Sequence, residues 1–282
     1  MDTKIIPVIR WIGSKKRIIK DIIKHVPIKY KNYYEPFLGS GVVFLNIKYN
    51  TNTKIYLNDI NKDIINLYKC IKNNPNDLIE LLEKYRKSYE KSSNKKNHFL
   101  KYRENFNKLK DKYNLERAAL FIYINKTSFN GWMQTNKYGL NTSSFGDIKN
   151  PKLYKKIQIE NLSKKLQKVK LTNTDYIKIL KNAKKHDFIY LDPPYVPEDF
   201  SNFNIKYNEN SWTEDDFKQL VKIYKLLDKK GCYVMLSNSN SKFIRKHFPK
   251  SKYRVIKIPI HRGLSPNTNF RGTNYELLIM NY

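Results

Sequence analysis

Cysteine is nearly absent from this chain. Of 282 residues only Cys70 and Cys232 are cysteines, and neither stands at a metal-ligand spacing. Cys70 falls in a helical pattern and Cys232 in a strand pattern, so neither a disulfide framework nor a zinc site is expected. The histidines (His25, His98, His186, His247, His261) are scattered and form no cluster, and no metal is expected. No apolar run approaches the roughly 20 residues of a membrane span. The start, Met1-Asp2-Thr3-Lys4, carries no long apolar stretch either, so the reading excludes a membrane partner and a secretory signal. A soluble, reducing compartment follows: the cytoplasm, or the same setting for a virus- or phage-encoded protein. Acidic residues are also scarce. Asp and Glu total 25 against 55 Lys and Arg, a formal charge of +30. A folded chain tolerates such self-repulsion most readily when its partner is a polyanion. A+T-rich coding would explain many lysines, but it does not explain the shortage of acids, so nucleic acid is the favoured partner.

The apolar positions give the architecture. Ile18, Ile19, Ile22, Ile23 and Val26 share one helical face. Tyr33-Tyr34-Glu35 reads as a short strand running into Pro36-Phe37-Leu38-Gly39-Ser40-Gly41, after which Val42–Leu45 opens a helix. Further strands are predicted over 54–58, 168–172, 187–191 and 231–237, with helices over 61–72, from 213 and from 241. The last two strands, 252–260 and 273–281, read as an antiparallel hairpin. Alternating strands and helices imply an α/β chain with a mostly parallel sheet covered by helices on both faces. Residues 75–165 read as a helical insertion with one irregular loop, 126–150. The sheet domain is then 1–74 plus 166–282. Lys91–Lys96 reads as a mobile loop.

The densest chemistry is Asp192-Pro193-Pro194-Tyr195, directly after the apolar run Phe188–Leu191. A carboxylate, two φ-locked prolines and an aromatic face at a strand end can grip a flat, amino-bearing base. A plain turn closing a strand is the alternative for these four residues alone. Gly39-Ser40-Gly41 lets backbone approach a ligand closely. Asp59, ending the next strand 18 residues on, stands where a nucleotide ribose would be held through its hydroxyls, or where an ordinary helix cap would sit. There is no third glycine at the dinucleotide spacing and no G-K-[ST] loop, which excludes NAD or ATP gripped by phosphate. Trp11-Ile12-Gly13-Ser14-Lys15 offers an aromatic and a lysine before the first helix; Trp11 can pack on a cofactor and Lys15 can meet a carboxylate, although a packed Trp with a solvated Lys is the simpler reading. Residues 128–146 mix aromatics and amides with the basic neighbours Lys126, Lys137 and Lys149, a composition suited to wedging into a duplex and pairing adenine edges.

Together these segments resemble the Dam-type (D12 class) family of DNA adenine N6-methyltransferases. The resemblance covers nearly the whole chain in the family's order. It runs through Arg10–Lys15, Glu35–Asn46, Asn58-Asp59-Ile60-Asn61, Phe129-Asn130-Gly131 to Gly146, Asp192–Tyr195, Leu236–Ser239 and Arg271-Gly272. It implies an S-adenosylmethionine-dependent methyltransferase fold, with a mostly parallel seven-stranded sheet whose last strand is antiparallel, plus a helical DNA-recognition insertion. The implied reaction moves a methyl group from S-adenosylmethionine to N6 of an adenine flipped out of a short motif in double-stranded DNA. On this resemblance Asp192, Pro193, Pro194 and Tyr195 are catalytic. Trp11, Lys15, Phe37, Gly39, Gly41, Asp59 and Asp192 contact the cofactor. Phe129, Asn130, Trp132, Gln134, Asn136, Lys137 and Asn141 meet DNA, with Phe129 the candidate wedge. The hairpin departs from the family pattern: GATC-specific members carry a guanine-reading arginine where this chain has Gln134. They also read Asn-Val-Pro-Phe-Gly where it has Asn141-Thr142-Ser143-Ser144-Phe145-Gly146. The family works as a monomer or loose dimer, with or without a cognate restriction endonuclease. Cytosine N4, RNA or protein glutamine as methyl acceptor, and a DNA-binding protein without turnover, are the rival readings.

Overall fold

A computed structural model of the chain describes residues 6–198, 200, 212–260 and 274–282. Its strands are β1 (Asn32–Glu35), β2 (Lys54–Asn58), β3 (Val169–Thr172), β4 (Phe188–Leu191), β5 (Tyr233–Ser239), β6 (Arg254–Ile260) and β7 (Asn274–Met280). They form one seven-stranded sheet in the order β3-β2-β1-β4-β5-β7-β6. β1 pairs in parallel with β2 and β4, and β4 with β5. β7 runs antiparallel to both β5 and β6. This is the mostly parallel sheet and terminal antiparallel hairpin expected from the pattern, with the antiparallel last strand that the resemblance implied. The connection between β6 and β7, with Arg271-Gly272, lies outside the described residues.

The helices described are α1 (Ile19–Lys24), α2 (Val42–Asn46), α3 (Lys62–Asn73), α4 (Pro75–Lys91), α5 (Lys95–Lys108), α6 (Leu115–Thr127), α7 (Lys156–Leu166), α8 (Tyr176–Leu180), α9 (Glu214–Lys229) and α10 (Lys242–His247). By contacts the chain divides into two compact units. The first comprises Met1–Ile19, Leu38–Lys48 and Asn58–Thr174, and the second Lys20–Phe37, Tyr49–Leu57 and Asp175–Tyr282. Residues 75–165 fall wholly within the first.

In the second unit β4 is buried at all four positions. A central parallel strand covered on both faces reads as a continuous apolar run, not an alternating one. α9 lays Phe217, Leu220, Tyr224 and Leu227 against Val234, Leu236, Phe248 and Ile279. Its start is fixed by a capping box between Thr213 and Asp216. Glu214, Asp215 and Asp216 also place negative charge at the positive end of the helix dipole.

In the first unit α6 is buried from Ala118 to Asn125, so it is apolar nearly all round and sits inside a layer of helices. It packs against α3, α4 and α5. Two expectations change in this unit. Lys91–Lys96 is not a mobile loop: only residues 92–94 separate α4 from α5. Asn94 caps α5 through the Asn97 N–H, and Lys95 Nζ donates to the Tyr89, Glu90 and Ser92 carbonyls. The helix expected from 151 begins instead at Lys156.

One charge pair ties α6 to α3. Arg117, 4% exposed, meets the Asp63 carboxylate with both Nε and Nη2, the latter at 2.8 Å. Its Nη1 donates to the Phe106 carbonyl at 3.0 Å, and the guanidinium lies 4.0 Å from the Phe106 ring centroid. Replacing Arg117 with alanine leaves Asp63 uncompensated and is expected to cost about 3 kcal/mol. Urea unfolding checks this: the midpoint should fall while the m-value stays constant.

Candidate active site

The end of β2 organises one cluster of the sequence-marked residues, all in the first unit. Leu38 N–H bonds the Asn58 carbonyl at 2.9 Å, and Gly41 N–H bonds the Leu38 carbonyl at 2.7 Å. The intervening loop turns through Gly39 (φ +49°) and Gly41 (φ +65°). Both values lie in the left-handed region that glycine enters without strain. Absence of side chains matters as much as φ. A Cβ on Gly39 would come within 2.9 Å of Trp11 Cδ1, and one on Gly41 within 2.5 Å of the Tyr68 hydroxyl. Tyr68 OH donates to the Ser40 carbonyl at 2.7 Å, so the loop is braced from α3.

Asp59 is the hinge of this cluster. Its Oδ2 accepts from Gly39 N–H and its Oδ1 from Asn61 N–H, each at 2.8 Å. The helix cap that Asp59 could have supplied falls instead to Asn61, whose Oδ1 accepts from Asp63 and Ile64 N–H. Burial pushes the Asp59 carboxyl up to about 6, against the two backbone bonds that favour its charged form. Lys15 is buried, and its Nζ donates to the Gly13 carbonyl at 2.6 Å. Ser14 and Ser40 hydroxyls meet at 3.1 Å.

The second unit carries Asp192–Tyr195, directly beyond the buried β4. Asp192, Pro194 and Tyr195 are half-buried and Pro193 is buried. Burial, followed by the carboxylates of Asp192 and Glu276, holds the Tyr195 phenol well above its usual range. Tyr190 is raised by the same burial and the same two carboxylates, and its hydroxyl meets Ser237 Oγ at 2.8 Å. Val196, next in the chain, is fixed by Asn238 and Ser239 of β5. Phe37 lies 5.1 Å from the Tyr176 ring and 5.8 Å from Trp212. Sequence reasoning missed Glu276, Asn238 and Ser239 as site residues. Asn238 and Ser239 lie within a segment that resembles the family, but nothing local in a strand marks which residue faces a loop from 42 positions away.

The 128–146 segment is a hairpin-like loop pinned at bridges Ser128–Phe145 and Thr135–Asn141. Phe129 (57%), Trp132 (48%), Asn130, Gln134 and Lys137 present themselves to solvent. Asn130 adopts φ +54°, a conformation asparagine tolerates. Asn136 and Asn141 serve the loop itself. Asn136 Oδ1 accepts from Tyr138 and Leu140 N–H. Asn141 is buried, and its Oδ1 accepts from Ser143 N–H. The loop is gripped by α5: Asn107 exchanges two bonds with the Asn141 backbone, and Arg103 donates to the Ser143 carbonyl at 2.7 Å. Asn125 of α6 ties Arg10 to Gly131 by accepting from Arg10 N–H and donating to both carbonyls. Lys126 stands beside it. Burial, then the charges of Arg10 and Lys16, push its ammonium down to about 8.

The family model for the D12 class N6 adenine-specific DNA methyltransferases matches residues 11–259. The chain belongs to that family. It is 35% identical to a Type II methyltransferase, M.MjaIII, of Methanocaldococcus jannaschii, across 98% of this chain and 99% of the relative. It is 31% identical to M1.LlaDCHI of Lactococcus lactis subsp. cremoris, across 98% and 95%. It is 29% identical to the DNA adenine methylase of Escherichia coli, across 96% and 94%. The adenine methyltransferase family match thus contains both clusters, the Gly39–Asp59 loop pair and Asp192–Tyr195. Among the described residues no group of three or more His, Cys, Asp and Glu could hold a metal ion, and no helix is long and apolar enough to cross a membrane.

The glycine loop of this methyltransferase gives a direct test. Gly41→Ala forces a left-handed alanine against Tyr68 and is expected to destabilise the protein by about 2 kcal/mol. Tyr68→Phe, which loses the bond to Ser40, is expected to cost about 1 kcal/mol. Thermal unfolding of both variants checks the order.

Proposed function

We propose that the chain transfers a methyl group from S-adenosylmethionine to N6 of an adenine flipped out of duplex DNA. The observation that carries this reading is Asp192-Pro193-Pro194-Tyr195 at the end of a fully buried parallel strand, within an adenine-methyltransferase family match over residues 11–259. S-adenosylmethionine fits the first cluster. The Asp59 carboxylate, oriented by two backbone N–H groups, keeps lone pairs for the two ribose hydroxyls, and Trp11 lies against the side-chain-free Gly39. Lys15 and Phe37 belong to the same assignment. When bound, the cofactor supplies an electrophilic methyl group on a sulfonium.

The protein's own groups then have defined tasks. The adenine N6 is paired and stacked inside the helix, so the base must leave it to react. Tyr195 supplies a face for the extruded ring. The Asp192 carboxylate and the Pro193 carbonyl accept the two N6 hydrogens, drawing the amino lone pair out of conjugation and aiming it. This is a positioning task, and no separate general base is required. Exposed Phe129 and Trp132 are suited to filling the gap in the stack, and Gln134 to an adenine edge. Arg10, Lys16, Lys126 and Lys137 supply charge for phosphates.

Expression in a methylation-free host, followed by modification-sensitive sequencing, is expected to show N6-methyladenine at one short motif. Asp192→Ala should remove it while DNA affinity stays within about twofold. Methylation persisting in that variant would refute the assignment, and a GATC motif would mean that Gln134 does not stand in for the guanine-reading arginine. A second expectation concerns pH. Hydroxyl groups donate best to a charged Asp59, and that carboxyl is protonated below about 6. The competent fraction falls about tenfold between pH 7 and pH 5, so the cofactor dissociation constant should rise about tenfold. Calorimetric titration checks this, and Asp59→Asn should flatten the dependence.

A further inference from the structure

The Asp192–Tyr195 segment spans two fixed points, and both belong to β5. At its start Leu191 is paired in the parallel ladder with Leu236. At its end Val196 is held by two consecutive β5 side chains. Its N–H donates to Asn238 Oδ1 at 2.9 Å, and its carbonyl accepts from the Ser239 hydroxyl at 2.5 Å. The Val196 side chain is itself 2% exposed. Four residues, two of them φ-locked prolines, therefore bridge anchors that cannot move independently.

Asn238 carries a second mark. It is fully buried, and its Nδ2 has no hydrogen-bond partner among the described residues. The carboxamide orientation is fixed, because both Val196 N–H and Ser239 N–H point at the same oxygen. An orphaned buried donor is costly and calls for an explanation. In Asn238 the other atom holds the backbone one residue past Tyr195.

We infer that Asn238 and Ser239 form a two-point clamp on Val196 that sets the position of the Asp192 and Tyr195 side chains for methyl transfer. They are positioning residues, and neither touches the base in this assignment. The inference rests on reading Asp192–Tyr195 as the adenine-binding segment. Release of one end lets the segment drift. Misplacement by about 1 Å costs up to about a hundredfold in rate when geometry carries the catalysis. The binding contacts made by the hairpin and the Gly39–Asp59 cluster are left intact.

The test is single-turnover methylation of a duplex containing the target motif, at saturating S-adenosylmethionine and DNA, with both dissociation constants measured in parallel. Ser239→Ala is expected to slow the methyl-transfer step about tenfold with both dissociation constants within about twofold, and Ser239→Thr, which keeps the hydroxyl, to restore the rate. Asn238→Ala should give the larger loss. Should it fail to fold, the half-buried Ser239 pair still decides the matter. A wild-type rate in Ser239→Ala overturns the clamp. So does equal loss in the alanine and threonine variants, or a change confined to the dissociation constants. A wild-type protein that makes no N6-methyladenine overturns the functional reading, and the clamp with it. Methylation by wild type with an unaffected Ser239→Ala overturns the clamp alone.

Discussion

Where a parallel ladder runs out, the backbone N–H groups just beyond it still need acceptors. This chain meets that need with short polar side chains at strand ends, and its functional groups depend on them. Past β2, Asp59 accepts from Gly39 and Asn61 N–H. Asn58 accepts from Thr174 N–H and the Thr172 hydroxyl, and donates to the Thr174 carbonyl. Past β4, Val196 turns to Asn238 and Ser239. Loops anchored this way inherit the rigidity of the strands, which is what a site needs when its task is to aim a weak nucleophile. Asp59 is both anchor and proposed ribose ligand, so loop geometry and ligand chemistry meet in one carboxylate.

The charge distribution follows the same economy. Acids are few, yet Glu35, Asp187 and Glu276 are among the buried residues. Asp187 is matched by three donors: the Asn32 N–H and side-chain amide, and the Lys184 N–H. Glu35 accepts from the Tyr33 hydroxyl at 2.7 Å. Burial and nearby carboxylates raise the Tyr190 and Tyr195 phenols well above their ordinary range. The positive excess collects elsewhere. Lys126, half-buried and also crowded by Arg10 and Lys16, holds its proton less tightly than an ordinary lysine. A phosphate placed there would oppose that shift, because an anion relieves the mutual repulsion that contributes to it.

Much of this was legible in the residues. The strand positions of β1 to β7, the capped start of α9 at Thr213 and the left-handed glycine turn before α2 all follow from periodicity and turn chemistry, which act over a few residues. The exposed Phe129 and Trp132 follow from their place in a polar, glycine-bearing loop. Composition said less about which backbone groups a polar side chain would meet. Asn136 and Asn141, assigned to DNA by the resemblance, also accept bonds within the loop through their carbonyl oxygens. The link between α4 and α5 looked mobile by composition, yet the Lys95 ammonium fastens it to three carbonyls.

The sequence by itself determined the element types, the order of the motifs and the chemistry each can perform. Those properties depend on side-chain type, backbone preference and spacing within a few residues. Only the tertiary structure decided which groups hold which. Arg10 meets Asn125 from 115 residues away, Arg103 reaches Ser143 across 40, and Val196 rests on Asn238 across 42. An asparagine offers the same donor and acceptor wherever it stands. Whether it reads a base, caps a helix or clamps a loop depends on which backbone group the packed strands and helices bring within about 3 Å of it, and no local pattern encodes that.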